Sequence, residues 1–478
     1  MLFGENWIIF LLVLNHGGNL MEPSNLSRYE SEKALLSVSA ARKRLAMLFD
    51  GGVYEELNRF LKNKEQECEV VTAVGLVGGS YVYAFAQSVD VNGGAMGNVQ
   101  ASKIAHIFEL AATTGYPVVG IYDSNGAHID EGVGALEAYG KLISLSSKLS
   151  GVVPQISVVA GSCIGSAAVM ATLSDFTVMT KDSEFYVTAP SVLGGKDYLG
   201  TANTAYKNGT AALVANDDEE AISKAAELLS YLPSNNLSVA MMAECESTSG
   251  HDELLADIFD DNSFVELYAD FGKCIKVGFA RLGGASVGVV FTDKTVAGGY
   301  FCDDGAKKAA KFIRICDAYS LPIITLVDSY GVVSSEESEL SGGVKSVALL
   351  TSAYSEATCP KISVVAGNAY SAAYIAFVSA ASAPDMVFAF ENSAIGTLEP
   401  MTAVQLLYKD RLQAGETREA LEKEYISEKC SPFSAAANGY LTDIITKQEA
   451  ILRISSAIDV LSSKRASTMN KKHTNIPL

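Results

Sequence analysis

The chain repeats itself at a spacing far longer than that of a solenoid. ISVVAGSCIGSAAV begins at Ile156, and ISVVAGNAYSAAYI begins at Ile362, 206 residues later. Upstream, VVGIYDSNG carries Asp123 and Ser124, and IITLVDSYG carries Asp328 and Ser329, 205 residues later. Gly93-Gly94 and Lys103 answer Gly298-Gly299 and Lys308 at the same offset. One offset held across several separated motifs is the mark of a duplicated unit, and a period near 200 residues is a domain length. With 478 residues, the chain has room for two such cores.

Each half reads in the same order. A β-rich stretch comes first (YVYAFAQSVDV; ASVGVVFTDKTV), then a Gly-Gly turn and a helical pattern (ASKIAHIFELAATTG; AKKAAKFIRICDAYS). An apolar strand ending in Asp-Ser follows, then a second helix, then ISVVAG and a small-residue turn into another helix. PVVGIYD and ISVVAG are almost continuously apolar, as strands covered on both faces must be. Strands alternating with helices predict an α/β fold: two duplicated domains, each of β-sheet layers with flanking helices. Residues 232–250 are richer in polar and turn residues, which places a linker there, between domains at 21–231 and 251–478.

Composition narrows the partners. Fifty-five acidic residues against 36 basic ones give a net charge of -19, so a broad basic surface for nucleic acid is not expected. Lys307, Lys308, Lys311 and Arg314 form a basic run that could receive phosphates, although such runs are usually a solvated helix face. The eight cysteines are scattered with no C-x-x-C spacing, which gives no support for a zinc knuckle and suits buried thiols in a reducing compartment, hence a cytoplasmic protein. Trp7–Leu14 is an apolar run too short to span a bilayer and follows Glu5 rather than a basic cluster. Residues 1–20 are therefore read as a non-native or disordered extension, with the natural start at Met21.

The informative chemistry lies in the turns after ISVVAG. Gly165-Ser166-Ala167-Ala168 and Ser371-Ala372-Ala373 are runs of small residues that open helices. First-turn N–H groups have no partner inside the helix, and small side chains let a ligand carbonyl approach them. Such a turn can stabilise an oxyanion or enolate, with a further donor from the preceding loop at Gly126 or Gly331. The alternative is that small residues only allow close helix–strand packing. Nothing resembles a nucleophile with its base. His106 lies on a helical pattern. His128, beside Asp130 and Glu131, is equally readable as functional or as a solvated His–carboxylate neighbourhood. The segment HIDE lacks the second His of a zincin, so no metal is expected. A site made only of main-chain donors suits chemistry whose reactive groups belong to bound carriers.

Taken together and in order, these motifs resemble the carboxyltransferase (β) subunits of biotin-dependent acyl-CoA carboxylases of the propionyl-CoA/methylmalonyl-CoA type, members of the crotonase-like superfamily. The resemblance rests on ARKRLAMLFDGGVYEEL (41–57), DSNGAHIDEGVGAL (123–136), PQISVVAGSCIGSAAV (154–169), VGFARLGGASVGVV (277–290), KKAAKFIRICDAYSLPIITLVDSYG (307–331), EATCPKISVVAGNAYSAAY (356–374), SAAANGYLTDII (434–445) and the tail KKHTNIPL (471–478). It implies two crotonase-like domains. The first would bind acyl-CoA, with donors at Gly165, Ser166 and Gly126 holding the thioester enolate. The second would bind biotin, with Ala372 and Ala373 donating to the ureido carbonyl and Gly331 and Ser371 framing that side. Ile375 falls where the family tunes acyl-group preference.

The resemblance further implies a homohexamer whose site lies between the first domain of one subunit and the second domain of another. Biotin would arrive as carboxybiotin on a separate carrier, since this chain has no Met-Lys-Met biotinylation motif. The implied partners are a biotin carboxyl carrier protein and a biotin carboxylase, or a membrane decarboxylase subunit if the chain is the α subunit of a sodium-pumping decarboxylase. The family's Gly-Gly pairs are Gly165-Ser166 and Ser371-Ala372 here, and His128 stands where the family has Arg. A crotonase-type hydratase or isomerase would need carboxylates over the substrate's α and β carbons, and only Asp130 and Glu131 lie near a candidate turn. An inactive assembly subunit would follow if the replaced glycines closed the turns.

Overall fold

The computed structural model describes residues 23–36, 38–64, 66–243, 255, 258–466 and 469–477. The extension read at residues 1–20 and the end of the linker, residues 244–250, lie outside the described residues.

The apolar runs form two eight-stranded sheets with the same path. In the first, the order is Tyr54–Leu57, Val70–Val77, Ser80–Gln87, Val118–Ser124, Gln155–Ile164, Phe176–Thr180 and Leu213–Ala215. In the second it is Val265–Leu267, Ile275–Leu282, Ala285–Thr292, Ile323–Ser329, Lys361–Tyr370, Met386–Phe390 and Asp443–Ile445. The first three strands of each sheet are antiparallel and the rest parallel. Val118–Ser124 and Ile323–Ser329 are buried at every position, as their unbroken apolar character requires between helix layers. The eighth strand of each sheet, Glu184–Tyr186 or Ala394–Gly396, pairs with the far end of the long ISVVAG strand. The α/β duplication expected from the repeats is therefore present, with an antiparallel start in each half.

The repeated lysine does the same work twice. Lys103 is buried on helix Asn98–Thr114 and its Nζ donates to the Val70 carbonyl at 2.8 Å. Lys308 on helix Asp303–Ala318 donates to the carbonyls of Phe271 (2.6 Å) and Tyr268 (3.3 Å). Backbone carbonyls at the start of each sheet are thus satisfied by a cation that remains buried.

One apolar core runs through both halves. Tyr231, at the end of helix Asp218–Tyr231, stacks on Phe279 of the second sheet at 5.7 Å, and Phe176 meets the same ring edge-on. The Arg281 guanidinium lies 4.7 Å from the Tyr231 ring centre and donates to the carbonyls of Ser230, Met241 and Gly284. Each aromatic pair adds about 0.5–1.5 kcal/mol beyond its buried area. Among the described residues, no helix is long and apolar enough to cross a membrane.

A polar bridge crosses the same junction. Tyr319 donates its hydroxyl to the buried Asp175 carboxylate at 2.8 Å, and the Gln155 N–H donates to it at 2.9 Å. Burial pushes this carboxyl up to about 6, against the pull of both donors. A carboxyl raised in the folded state gives its full stability below its ordinary value and loses it as pH rises through about 6. Tyr319→Phe removes a donor that favours the charged form. The variant is expected to lose about 1.5–3 kcal/mol at pH 8 and roughly half as much at pH 4, measured by chemical denaturation at both values.

Candidate active site: two helix-opening turns

Both turns are built by the same arrangement at a strand end. Between Tyr122 and Ser124 the pairing with the ISVVAG strand slips, so that two residues of one strand span four of the other, Val159 to Cys163. The slip recurs between Val327 and Ser329, opposite Val365 to Ala369. The aspartate carboxylate lies over the slipped segment in each half. A Cβ on Gly161 would stand 2.1 Å from the Asp123 carboxylate, and one on Gly367 2.3 Å from that of Asp328. The final glycine of each VVAG therefore makes room for the aspartate of the neighbouring strand.

Counter-charges differ between the copies. Arg44, buried on helix Ala40–Leu48, donates to Asp123 and Asp218 at 2.7 Å each and to the Ala160 carbonyl at 3.3 Å. Asp328 instead pairs with Lys294 at 2.7 Å and accepts from the main-chain and side-chain amides of Asn368 at 2.9 and 2.8 Å.

The loop after each strand is clamped from the Gly-Gly turn. Asn125 N–H donates to the Gly93 carbonyl, Met96 N–H to the Gly126 carbonyl, and His128 N–H to the Met96 carbonyl, all at 2.8–2.9 Å. In the second half Tyr330 N–H donates to the Gly299 carbonyl at 2.9 Å, and Tyr300–Phe301 pairs with Gly331–Val332. Tyr300 also donates its hydroxyl to Glu399; burial, with that carboxylate, pushes the phenol up to about 12. The repeated glycine pairs thus hold the loops against the turns, beyond serving as entries to a helix.

His128 anchors its loop. Its Nε2 lies 3.1 Å from Glu69, which is fully buried and also accepts from Asn92, Asn63 and Gln100. Burial would push the Glu69 carboxyl up, but the Asn92, Gln100 and Asn63 amides bring it below the usual carboxylate range. The histidine is therefore a partner of an inward-facing carboxylate rather than a solvated side chain. His106 sits on its helix with Nδ1 2.8 Å from the Asn58 side chain.

The donors themselves differ in part from expectation. Gly165 precedes helix Ser166–Thr172 at φ +64°, and its N–H donates to the Tyr186 carbonyl at 2.8 Å. Gly126 N–H donates to Ser124 Oγ at 3.1 Å, as Gly331 N–H does to Ser329 Oγ at 3.3 Å. Pairing with Glu184–Tyr186 thus consumes the Gly165 amide, and the serine of each Asp-Ser consumes the loop glycine's. The donors left by the helix start are the first-turn amides of Ser166 and Ala167, and of Ala372 and Ala373 in helix Ser371–Phe377. Ala167 was not singled out as a donor by the sequence; a shift of one residue follows from where the helix begins.

The two turns open onto different surroundings. Ser371 and Ile375 line a cavity of about 630 Å³ whose walls include Tyr374, Ile395, Asn438 and Tyr440. Ser371 holds φ +48°, a left-handed backbone that costs a non-glycine residue on the order of 1–2 kcal/mol. The first turn is flanked by exposed apolar side chains on the clamped loop and the next helix: Ile129 is 93% exposed and Val133 72%.

The carboxyl transferase domain family matches residues 38–476. The chain is 35% identical to the methylmalonyl-CoA decarboxylase subunit alpha of Propionigenium modestum, across 95% of this chain and 96% of that one. It is 34% identical to the mitochondrial propionyl-CoA carboxylase beta chain of Sus scrofa, across 92% and 88%. Among solved structures, a transcarboxylase 12S hexamer with methylmalonyl-coenzyme A and methylmalonic acid bound is similar at TM-score 0.87 and 31% identity, with both chains covered in full. A single-chain, multi-domain long-chain acyl-CoA carboxylase shares the fold at TM-score 0.75 and 20% identity, across 95% of this chain and 49% of that one. The two crotonase-like halves expected from the sequence are those of this architecture. By the extent of these matches, the chain belongs to the carboxyl transferase domain family.

Proposed function

We propose that this protein is a biotin-dependent acyl-CoA carboxyltransferase subunit. It moves a carboxyl group between carboxybiotin on a separate carrier and the α carbon of a short-chain acyl-CoA, such as propionyl-CoA or acetyl-CoA. The observation that carries this reading is the pair of helix-opening turns, whose first amides have no partner inside the helix, beside a clamped loop. Relatives at 34–35% identity along almost the whole chain support it.

The first half, within 21–231, takes the acyl-CoA. Ser166 and Ala167 N–H point where the thioester oxygen gains charge as the α-proton leaves, and each such donor is worth about 2.7–4 kcal/mol of barrier. The second half, within 251–478, takes biotin. The cavity beside Ser371 fits it: Tyr374, Ile375 and Tyr440 offer flat apolar walls, and Asn438 a polar group. Ala372 and Ala373 N–H would face the ureido carbonyl there. Carboxybiotin, when bound, supplies the carboxyl group; the chain's residues orient the two carriers and exclude water.

Exposed apolar side chains beside both turns, Ile129 and Val133 at the first and Ile375, Phe433 and Tyr440 at the second, suit burial of one half against the opposite half of another copy. A hexamer like that of the transcarboxylase 12S structure would provide it. The carrier and its biotin carboxylase would be separate chains. A second reading, with the transfer run as decarboxylation beside a membrane partner, is favoured by the Propionigenium modestum relative.

The direct test is to incubate the purified protein with free biotin and methylmalonyl-CoA or malonyl-CoA. Loss of the substrate's carboxyl group is expected, and no loss from either thioester would refute the reading. Ser166→Pro deletes one donor at a helix position that tolerates proline, after a glycine, so kcat should fall about 10²–10³-fold with far-UV circular dichroism unchanged. Ser166→Ala keeps the amide and should keep most of the rate. Ile375→Ala should change the ratio of kcat/KM for methylmalonyl-CoA over malonyl-CoA by about 10-fold, the worth of one methyl group in an apolar pocket.

A further inference from the structure

Two of the scattered cysteines meet in space. Cys274, just before strand Ile275–Leu282, and Cys302, at the opening of helix Asp303–Ala318, have sulfur atoms 2.8 Å apart. Cys302 N–H donates to the Cys274 sulfur at 3.0 Å. Gly305 leaves space for that sulfur, since a Cβ there would stand 2.7 Å from it. Cys274 is buried, whereas Cys302 is half-buried. No other pair of described cysteines is brought this close.

The two sulfurs are unlike. Contact with Cys274 pulls the Cys302 thiol below its ordinary value against burial, while Cys274 is pushed up by the same contact and by burial. Lys308, six residues along the helix, adds a cation to this corner, although burial pushes it down to about 8. A half-buried thiol in contact with a buried one is the arrangement of an attacking and a resolving cysteine.

We propose that Cys274 and Cys302 form a reversible redox pair, a modification site separate from the carboxyl-transfer turns. With hydrogen peroxide as oxidant, the Cys302 thiolate attacks one peroxide oxygen. The O–O bond breaks, giving Cys302 sulfenic acid and hydroxide. The Cys274 sulfur then attacks the Cys302 sulfur. The S–S bond forms, the S–O bond breaks, and hydroxide leaves with the Cys274 proton as water. The sulfurs lose two electrons and the peroxide gains two. Closure needs the sulfurs to approach by under about 1 Å, to the 2.05 Å of a disulfide. A dithiol reductant reverses it by exchange.

The test uses the full-length protein in its native assembly. It is treated with hydrogen peroxide, blocked with iodoacetamide and digested with trypsin. Mass spectrometry should find the Cys274 peptide joined to the Cys302 peptide, two hydrogen masses lighter than the pair and separated by dithiothreitol. The thiol count of the denatured protein should fall from eight to six. Retention of both thiols, or joining of either to a different cysteine, overturns the proposal. Iodoacetamide labelling of Cys302 in the untreated protein should have its pH midpoint below the ordinary value of about 8.5; a midpoint at or above that value overturns Cys302 as the attacking cysteine. Cys274→Ser should halt the reaction at the sulfenic acid, trapped by dimedone on Cys302, and absence of that adduct counts against the order of steps.

Discussion

An aspartate carboxylate set over a glycine in the next strand is the contact on which both turns depend. Asp123 over Gly161 and Asp328 over Gly367 occupy the place where the central pairing slips. The slip carries the end of each ISVVAG strand out of register just before the following helix begins. A buried carboxylate needs compensation, and each half provides it differently: Arg44 bridges Asp123 to Asp218, while Lys294 and Asn368 serve Asp328. The geometry is kept although the counter-ions have diverged.

That divergence separates the two sites. At the first, Gly165 turns at positive φ without strain and its N–H is spent on Tyr186. At the second, Ser371 accepts a strained backbone at a cavity lined in part by residues from the C-terminal helices. The first is rimmed by exposed apolar side chains, the second concave and lined in part by Tyr374, Tyr425 and Tyr440. Two copies of one arrangement thus end in different surroundings. The halves are kept in fixed relation by the Tyr231–Phe279 stack, by Arg281, and by the Tyr319–Asp175 bridge.

The duplication, the α/β class and the location of both turns were legible because they rest on local patterns. Apolar runs mark strands covered on both faces, and small residues after them mark close approach of backbone. Offsets of 205 and 206 also pointed to Lys103 with Lys308 and to the Gly-Gly pairs, without revealing what they do. Their roles are non-local: Lys103 reaches back to Val70, and Gly93 holds Asn125.

The sequence by itself determined that there are two copies of a strand–turn–helix unit, since that depends only on residue type and spacing along the chain. Tertiary structure alone decided which amides remain free, because Gly165 is lost to a strand segment twenty residues downstream and Gly126 to the Ser124 hydroxyl. It alone joined His128 to Glu69, and Cys274 to Cys302, across 59 and 28 residues of chain. Hydrogen-bond satisfaction and side-chain proximity are set by the folding of distant segments onto one another, and no periodicity in the chain encodes them.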